Sequence, residues 1–312
     1  HFKYFSKILK PYNIKVNFLT SKISSKDKNN IYYDLKKKKI DLLIGTHSLL
    51  NENINFNELG LTVIDEQHKF GVNQRLRLQK KSIESHILVL SATPIPRSLT
   101  FVIYGEIDVS LIKNKPKGRK LTKTTIIGQD RISNIVEGIK RVIKKKEKVF
   151  WVLPRIGNEE ETELENETSV VKRFNYLKKY FQDKVAFVHG KMKKEEVESI
   201  FFKFNEEKIM ILVTTTIIEV GIDIPKATTI IIEEANRFGL AQLHQLRGRV
   251  GRNNIESNCV LVHTKNISEN GKARLNVMKE SNDGFYISEQ DLKIRGGGEV
   301  FGVRQTGLPT WR

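Results

Sequence analysis

Short apolar runs that stop abruptly on polar or acidic residues recur along this sequence. Leu61-Thr62-Val63-Ile64 ends on Asp65-Glu66-Gln67-His68, and Asp41-Leu42-Leu43-Ile44 on Gly45-Thr46-His47-Ser48. His86-Ile87-Leu88-Val89-Leu90 ends on Ser91-Ala92-Thr93-Pro94. Runs this short and this continuous are the mark of parallel strands buried on both faces. A further strand is expected over 16–19. Helices are expected over 1–10, stopped by Pro11, and from Ser24 and Ser25 to the basic block Lys36–Lys39. Strands alternating with helices give an α/β fold with a parallel sheet. Ligands in such sheets bind beyond the carboxyl ends of the strands. Thr46, Asp65, Ser91 and Thr93 are therefore expected along one edge of one sheet.

The pattern breaks at 113–124. Lys113, Lys115, Lys117, Arg119, Lys120 and Lys123 are basic, no residue there is acidic, and Pro116 and Gly118 interrupt it. The segment reads as a linker. A second alternating series follows, with strands expected at 148–153, 185–188, 209–213, 229–232 and 259–262. Between the first two lies a run containing Glu159, Glu160, Glu161, Glu163, Glu165 and Glu167, expected as a solvated insertion loop. The division is then a first domain over 1–112, a linker over 113–124, a second domain over 125–265 and a final segment over 266–312.

The 312 residues carry a formal charge of +18. That balance favours a polyanionic partner, nucleic acid first, although a Lys-, Asn- and Ile-rich composition is the plain alternative. Cys259 is the only cysteine, which excludes an internal disulfide and a cysteine zinc site and suits a reducing compartment. The histidines show no metal-ligand spacing. No stretch is apolar for long enough to span a membrane as a helix. The start, His1-Phe2-Lys3-Tyr4, has no signal-peptide pattern.

Two carboxylates at the end of a buried strand can divide the labour of phosphoryl chemistry. One holds a divalent cation against phosphate oxygens, and the other orients or deprotonates water. Asp65 and Glu66 have that pattern, and an ordinary Asp-Glu turn is the simpler reading. In the second domain Thr214-Thr215-Thr216 is followed closely by Val220-Gly221-Ile222-Asp223. Gln245-Leu246-Arg247-Gly248-Arg249-Val250-Gly251-Arg252 comes next. Three arginines separated by glycines suit a phosphate clamp, because guanidinium forks onto phosphate and glycine lets the backbone approach. A solvated basic turn is the alternative.

Taken in order, Asp65-Glu66-Gln67-His68, Ser91-Ala92-Thr93, Thr215 to Asp223, and Gln245 to Arg252 resemble the motor motifs of superfamily 2 helicases. Finer features resemble the RecG family of bacterial ATP-dependent DNA helicases, which remodel stalled forks. These are His68-Lys69-Phe70-Gly71-Val72, Ser91 to Arg97, and Val188-His189-Gly190-Lys191-Met192. Asp291-Leu292-Lys293-Ile294-Arg295-Gly296 and Gly302-Val303-Arg304-Gln305-Thr306-Gly307 resemble the translocation motif shared with the Mfd coupling factors. The resemblance covers essentially the whole chain.

It implies two RecA-like parallel-sheet domains, the first incomplete at its N-terminus, followed by a helical and loop translocation motif. ATP and Mg²⁺ are implied, with Asp65 on the metal and Glu66 as general base. Gln245, Arg249 and Arg252 are implied as catalytic residues facing the nucleotide, and Gly221 and Asp223 as nucleotide-binding residues. Thr46, His68, Ser91, Thr93 and Thr215 become coupling or DNA-facing residues. Arg274, Arg295 and Gln305 match the translocation motif, with an exposed helix residue equally open for Arg274. Duplex and branched DNA, including stalled forks and Holliday junctions, are the implied partners of a monomer without membrane contact in the bacterial cytoplasm, on the nucleoid.

One departure stands out. No phosphate loop of the form GxxxxGK[ST] occurs anywhere in the sequence. The chain is accordingly read as a helicase fragment that hydrolyses ATP weakly, if at all, by itself. Four other readings stay open: an Mfd-like translocase, a passive nucleic-acid-binding module, a nucleotide switch and an RNA helicase. Mfd proteins usually carry Glu where Gln67 stands. RNA helicases usually carry Ala or a third Asp there, and Arg at the position of Val220.

Overall fold

Every strand pair among the described residues is parallel. The computed structural model describes residues 1–51, 53–56, 58–66, 85–91, 108–112, 118, 120–154, 160–215, 224, 226–251 and 254–295, without the side chains of 160–168 and 295. The chain forms two units, His1–Ala92 and Thr93–Arg312.

In the first unit, α1 (Phe2–Leu9) runs into a 3-10 turn, Lys10–Tyr12, that contains Pro11. Strand β1 (Val16–Leu19) pairs with β2 (Leu42–Gly45). Between them lies α2 (Ser25–Lys36), whose first turn is capped by Ser24: its Oγ accepts from the Asp27 N–H at 3.2 Å. That cap meets one of the helix's orphan donors. Leu19, Ile31, Leu35 and Ile54 form the small core. A Cβ on Gly45 would sit 2.6 Å from the Leu19 carbonyl oxygen, so the exit from β2 requires glycine. Strand β3 (Leu61–Asp65) pairs with β4 (His86–Leu90), Asp65 opposite Leu90.

Among the described residues Thr46 does not fall on the same ladder as Asp65 and Ser91, so the single edge expected for the three is not seen there. Among the described residues β1–β2 and β3–β4 are separate two-stranded sheets. An apolar run does not say which neighbour a strand takes, nor does it guarantee burial: β3 and β4, expected to be buried on both faces, are largely exposed.

The second unit holds a six-stranded sheet in the order β5-β10-β9-β6-β8-β7. Its strands are β5 (Thr122–Gly128), β6 (Lys148–Val152), β7 (Val185–Val188), β8 (Ile211–Thr214), β9 (Ala227–Ile232) and β10 (Ser257–His263). Every residue of β6, β8 and β9 is buried. Helices α3 (Ile132–Lys144) and α4 (Glu160–Phe181) cover one face, with Ile139, Val170 and Leu177 against Val149, Trp151 and Ile231. The other face carries α5 (Lys194–Asn205), α6 (Leu240–Arg247), α7 (Glu269–Glu280) and α8 (Gly284–Arg295). There Phe204, Leu243, Met278 and Ile287 meet Phe150, Leu212 and Ile232. Neighbours such as Phe150 and Trp151 serve opposite faces because side chains alternate along a strand. Fully burying each such side chain contributes about 1.5–3 kcal/mol.

Two expectations are corrected here. Strand β5 begins at Thr122, inside the segment read as linker. It is an edge strand whose only long aliphatic side chains are Ile126 and Ile127, so it shows no continuous apolar run. The acidic stretch is not a loop from Glu160 onward but the first half of the 22-residue helix α4. Glutamate is a good helix former, and carboxylates near a helix N-terminus favour its dipole. No helix among the described residues is long and apolar enough to cross a membrane.

Candidate functional site

Asp65 closes β3 and is exposed. Glu66 follows in the left-handed region, at φ 53°, and its N–H donates to the Leu90 carbonyl at 3.0 Å. A non-glycine residue held there costs on the order of 1–3 kcal/mol, and such strain gathers at functional sites. The turn also ends the alternation that would send successive side chains to opposite faces of the sheet. Ser91 follows β4 directly and is exposed. Asp65, Glu66 and Ser91 thus share the carboxyl edge of one strand pair. Thr46 is exposed too, at the head of the 3-10 turn His47–Leu50, but it ends β2 in the other pair. His68 and Thr93 lie outside the described residues.

This donor set suits Mg²⁺, which takes one or two carboxylates together with phosphate oxygens and water. It does not suit a metal held by protein ligands alone: among the described residues no three His, Cys, Asp or Glu side chains cluster to hold an ion.

In the second unit the sequence motifs fall on opposite edges of the sheet. Thr215 follows the carboxyl end of β8 and is buried, 5 % exposed. Helix α6 runs the other way and delivers its C-terminal residues to the amino ends of β5 and β10. Leu240, Leu243 and Leu246 bury one face of α6, while Gln245 and Arg249 are half-buried. The Gln242 side-chain oxygen caps the helix by accepting from the Gly239 N–H at 3.1 Å. Gly251 sits at φ 71°, and a Cβ there would lie 2.4 Å from Ser257 Oγ. Gly221, Asp223 and Arg252 lie outside the described residues.

Arg247 does not join the clamp suggested by its spacing. It is only 3 % exposed. Its guanidinium donates to the carbonyls of Met278 and Ser281 at 2.7 and 2.8 Å, and burial pushes its pKa below the usual arginine value. In sequence it cannot be told from Arg249, because its partners lie two elements further along.

Arg274 on α7 is half-buried, and its Nε is buried with no hydrogen-bond partner among the described residues. It is therefore not a fully solvated helix residue. Arg295 is the last residue of α8, its side chain is not described, and Gln305 lies outside the described residues.

A buried network escaped the sequence reading altogether. Glu233, just past β9, accepts from the Trp151 indole N–H and from Arg173, which also lies 5.4 Å from the Trp151 ring centre. An acid at the end of the apolar run 229–232 was the available signal; nothing local marked Arg173.

The DEAD/DEAH box helicase family model matches residues 1–102, and the helicase conserved C-terminal domain model matches 136–254. In order, these two define a superfamily 2 helicase motor. The ATP-dependent DNA helicase RecG of Aquifex aeolicus is 44 % identical over 98 % of this chain, and that of Bacillus subtilis 38 % over 98 %. A solved structure of RecG bound to a three-way DNA junction superposes with a TM-score of 0.72 at 39 % identity, covering 96 % of this chain and 38 % of that one. The chain belongs to the RecG family. It spans 39 % and 44 % of the length of those two curated relatives.

Proposed function

We propose that this chain is the motor part of a longer RecG-type enzyme that couples ATP hydrolysis to movement along duplex DNA and to remodelling of stalled forks and Holliday junctions. The observation that carries the reading is the pair Asp65 and Glu66 at a strained strand end, on one edge with Ser91. Asp65 would hold Mg²⁺ against the triphosphate, and the ion would supply charge neutralisation on the phosphate oxygens. Glu66 would take the proton of the attacking water. Gln245, Arg249 and Arg252 would act on the same nucleotide from the second unit, arginines in this role being worth about 10³–10⁵ in rate. Gly221 and Asp223 would contact the nucleotide as well.

Thr46, His68, Ser91, Thr93 and Thr215 would couple the nucleotide to DNA, since hydroxyls and backbone amides hold phosphates without reading sequence. The net charge of +18 supports a polyanionic partner. Arg274, Arg295 and Gln305 would transmit domain movement to the duplex. We place the protein in the bacterial cytoplasm, acting as a monomer.

The test is an assay of the full-length protein for ATP turnover with and without branched DNA, and for fork unwinding. The reading expects DNA to stimulate turnover and ATP to drive unwinding. Turnover indifferent to DNA would contradict it.

A further inference from the structure

Arg247 carries a full charge into the core of the second unit with no carboxylate among its hydrogen-bond partners in the described residues. Its Nη1 donates to Met278 O at 2.7 Å, Ser281 O at 2.8 Å and Thr124 Oγ1 at 3.3 Å. Its Nη2 lies 3.2 Å from His244 Nδ1. Guanidinium only donates, so Nδ1 accepts. Met278 is in the last turn of α7, and Ser281 follows as that helix's C-cap. These carbonyls form the negative end of the helix dipole, where a cation is favoured. One side chain at the end of α6 therefore holds three things together: its own helix through His244, the edge strand β5 through Thr124, and the junction of α7 with α8. Apolar packing supports the same junction, with Leu246, Leu275, Met278 and Ile287 in one core cluster.

Gln245 and Arg249 stand two residues to either side of Arg247. We propose that Arg247 is a positioning residue that makes the end of α6 and the α7–α8 hairpin move as one body. A change felt at Gln245 or Arg249 then reaches Arg295 at the end of α8. This inference rests on the nucleotide role proposed for α6. At 3 % exposure, Arg247 acts in this proposal through its neighbours and not on nucleotide or DNA directly.

The test uses the full-length protein and two variants. Arg247→Met keeps bulk and removes every donor. Arg247→Lys keeps the cation but has one nitrogen in place of the two that reach the α7 carbonyls and His244 at once. DNA-stimulated ATP turnover and displacement of a third strand from duplex DNA are measured on the same preparation. KM for ATP and kcat are expected to be largely kept. Distance travelled per ATP is expected to fall about tenfold in Arg247→Met, within the usual range of coupling between sites, and by less in Arg247→Lys. A folded Arg247→Lys protein with wild-type travel per ATP would overturn the proposal. So would turnover falling in step with travel. If Arg247→Met fails to fold, the ratio in Arg247→Lys decides. Should the wild-type protein show no DNA-stimulated turnover, it is the nucleotide reading of α6 that fails instead.

Discussion

Arg173 grips Glu233 with two donors: Nε lies 2.5 Å from Oε1 and Nη2 lies 2.8 Å from Oε2. Both side chains are largely buried, 18 % and 11 % exposed. The pair sits where the chain leaves β9. Glu234 follows at φ 46° and turns it toward α6. The network therefore fixes the start of the segment that carries Gln245 and Arg249.

Removing one partner of such a pair leaves a buried charge uncompensated. Arg173→Met should destabilise the protein by about 3–5 kcal/mol, read as a lower urea midpoint with unchanged slope. Trp151 alone cannot satisfy the carboxylate. The double variant Arg173→Met/Glu233→Leu should recover much of the loss. A midpoint for Arg173→Met matching the wild type would show that the pair is solvent-screened.

Gly251 is constrained twice. Its φ of 71° is unfavourable for residues with a side chain, and a Cβ would intrude on the 2.9 Å contact between Thr122 Oγ1 and Ser257 Oγ. Gly251→Ala should cost at least the roughly 1–2 kcal/mol of the left-handed backbone, with a steric contribution added. Gly251→Ala/Ser257→Gly should recover only the steric part. Equal melting temperatures for Gly251→Ala and wild type would contradict the geometry.

Cys259 is fully buried, and burial raises its thiol from the ordinary value near 9 to about 12. The folded state holds this proton more tightly than the unfolded state does. The contribution to stability is thus complete below pH 9 and is lost as pH rises from 9 through 12. The loss is on the order of 4 kcal/mol. It should appear as a difference in pH dependence between wild type and Cys259→Ala. In the native protein at pH 8 the thiol should resist alkylation. Rapid labelling without unfolding would show that the site is open.

The strands were legible where an apolar run is continuous, whether buried throughout as in β6 or largely exposed as in β4. The ends of β4 and β7 fall where the apolar runs place them, and β6 differs only at its last residue. β5 was hidden because its first residues, Thr122, Lys123 and Thr124, read as linker, and an edge strand has no need of a long apolar run. The acidic run was read by its charge, although glutamate favours a helix. Asp65 and Glu66 stood out because two acids ended an apolar run, but the left-handed backbone at Glu66 leaves no mark in sequence. Arg247 and Arg249 look equivalent on paper. What separates them is contact with Met278 and Ser281, which depends on how α6 packs on α7.

The role assigned to Glu66 is the centre of this account. In the full-length protein Glu66→Gln keeps the shape of the side chain and removes its basicity. Nucleotide affinity and DNA-stimulated ATP turnover, measured side by side, give the most direct test. The account predicts near-normal affinity and a fall in kcat of about 10²–10⁴-fold, the usual loss for a general base. A variant that binds nucleotide and still turns it over near the wild-type rate would contradict it.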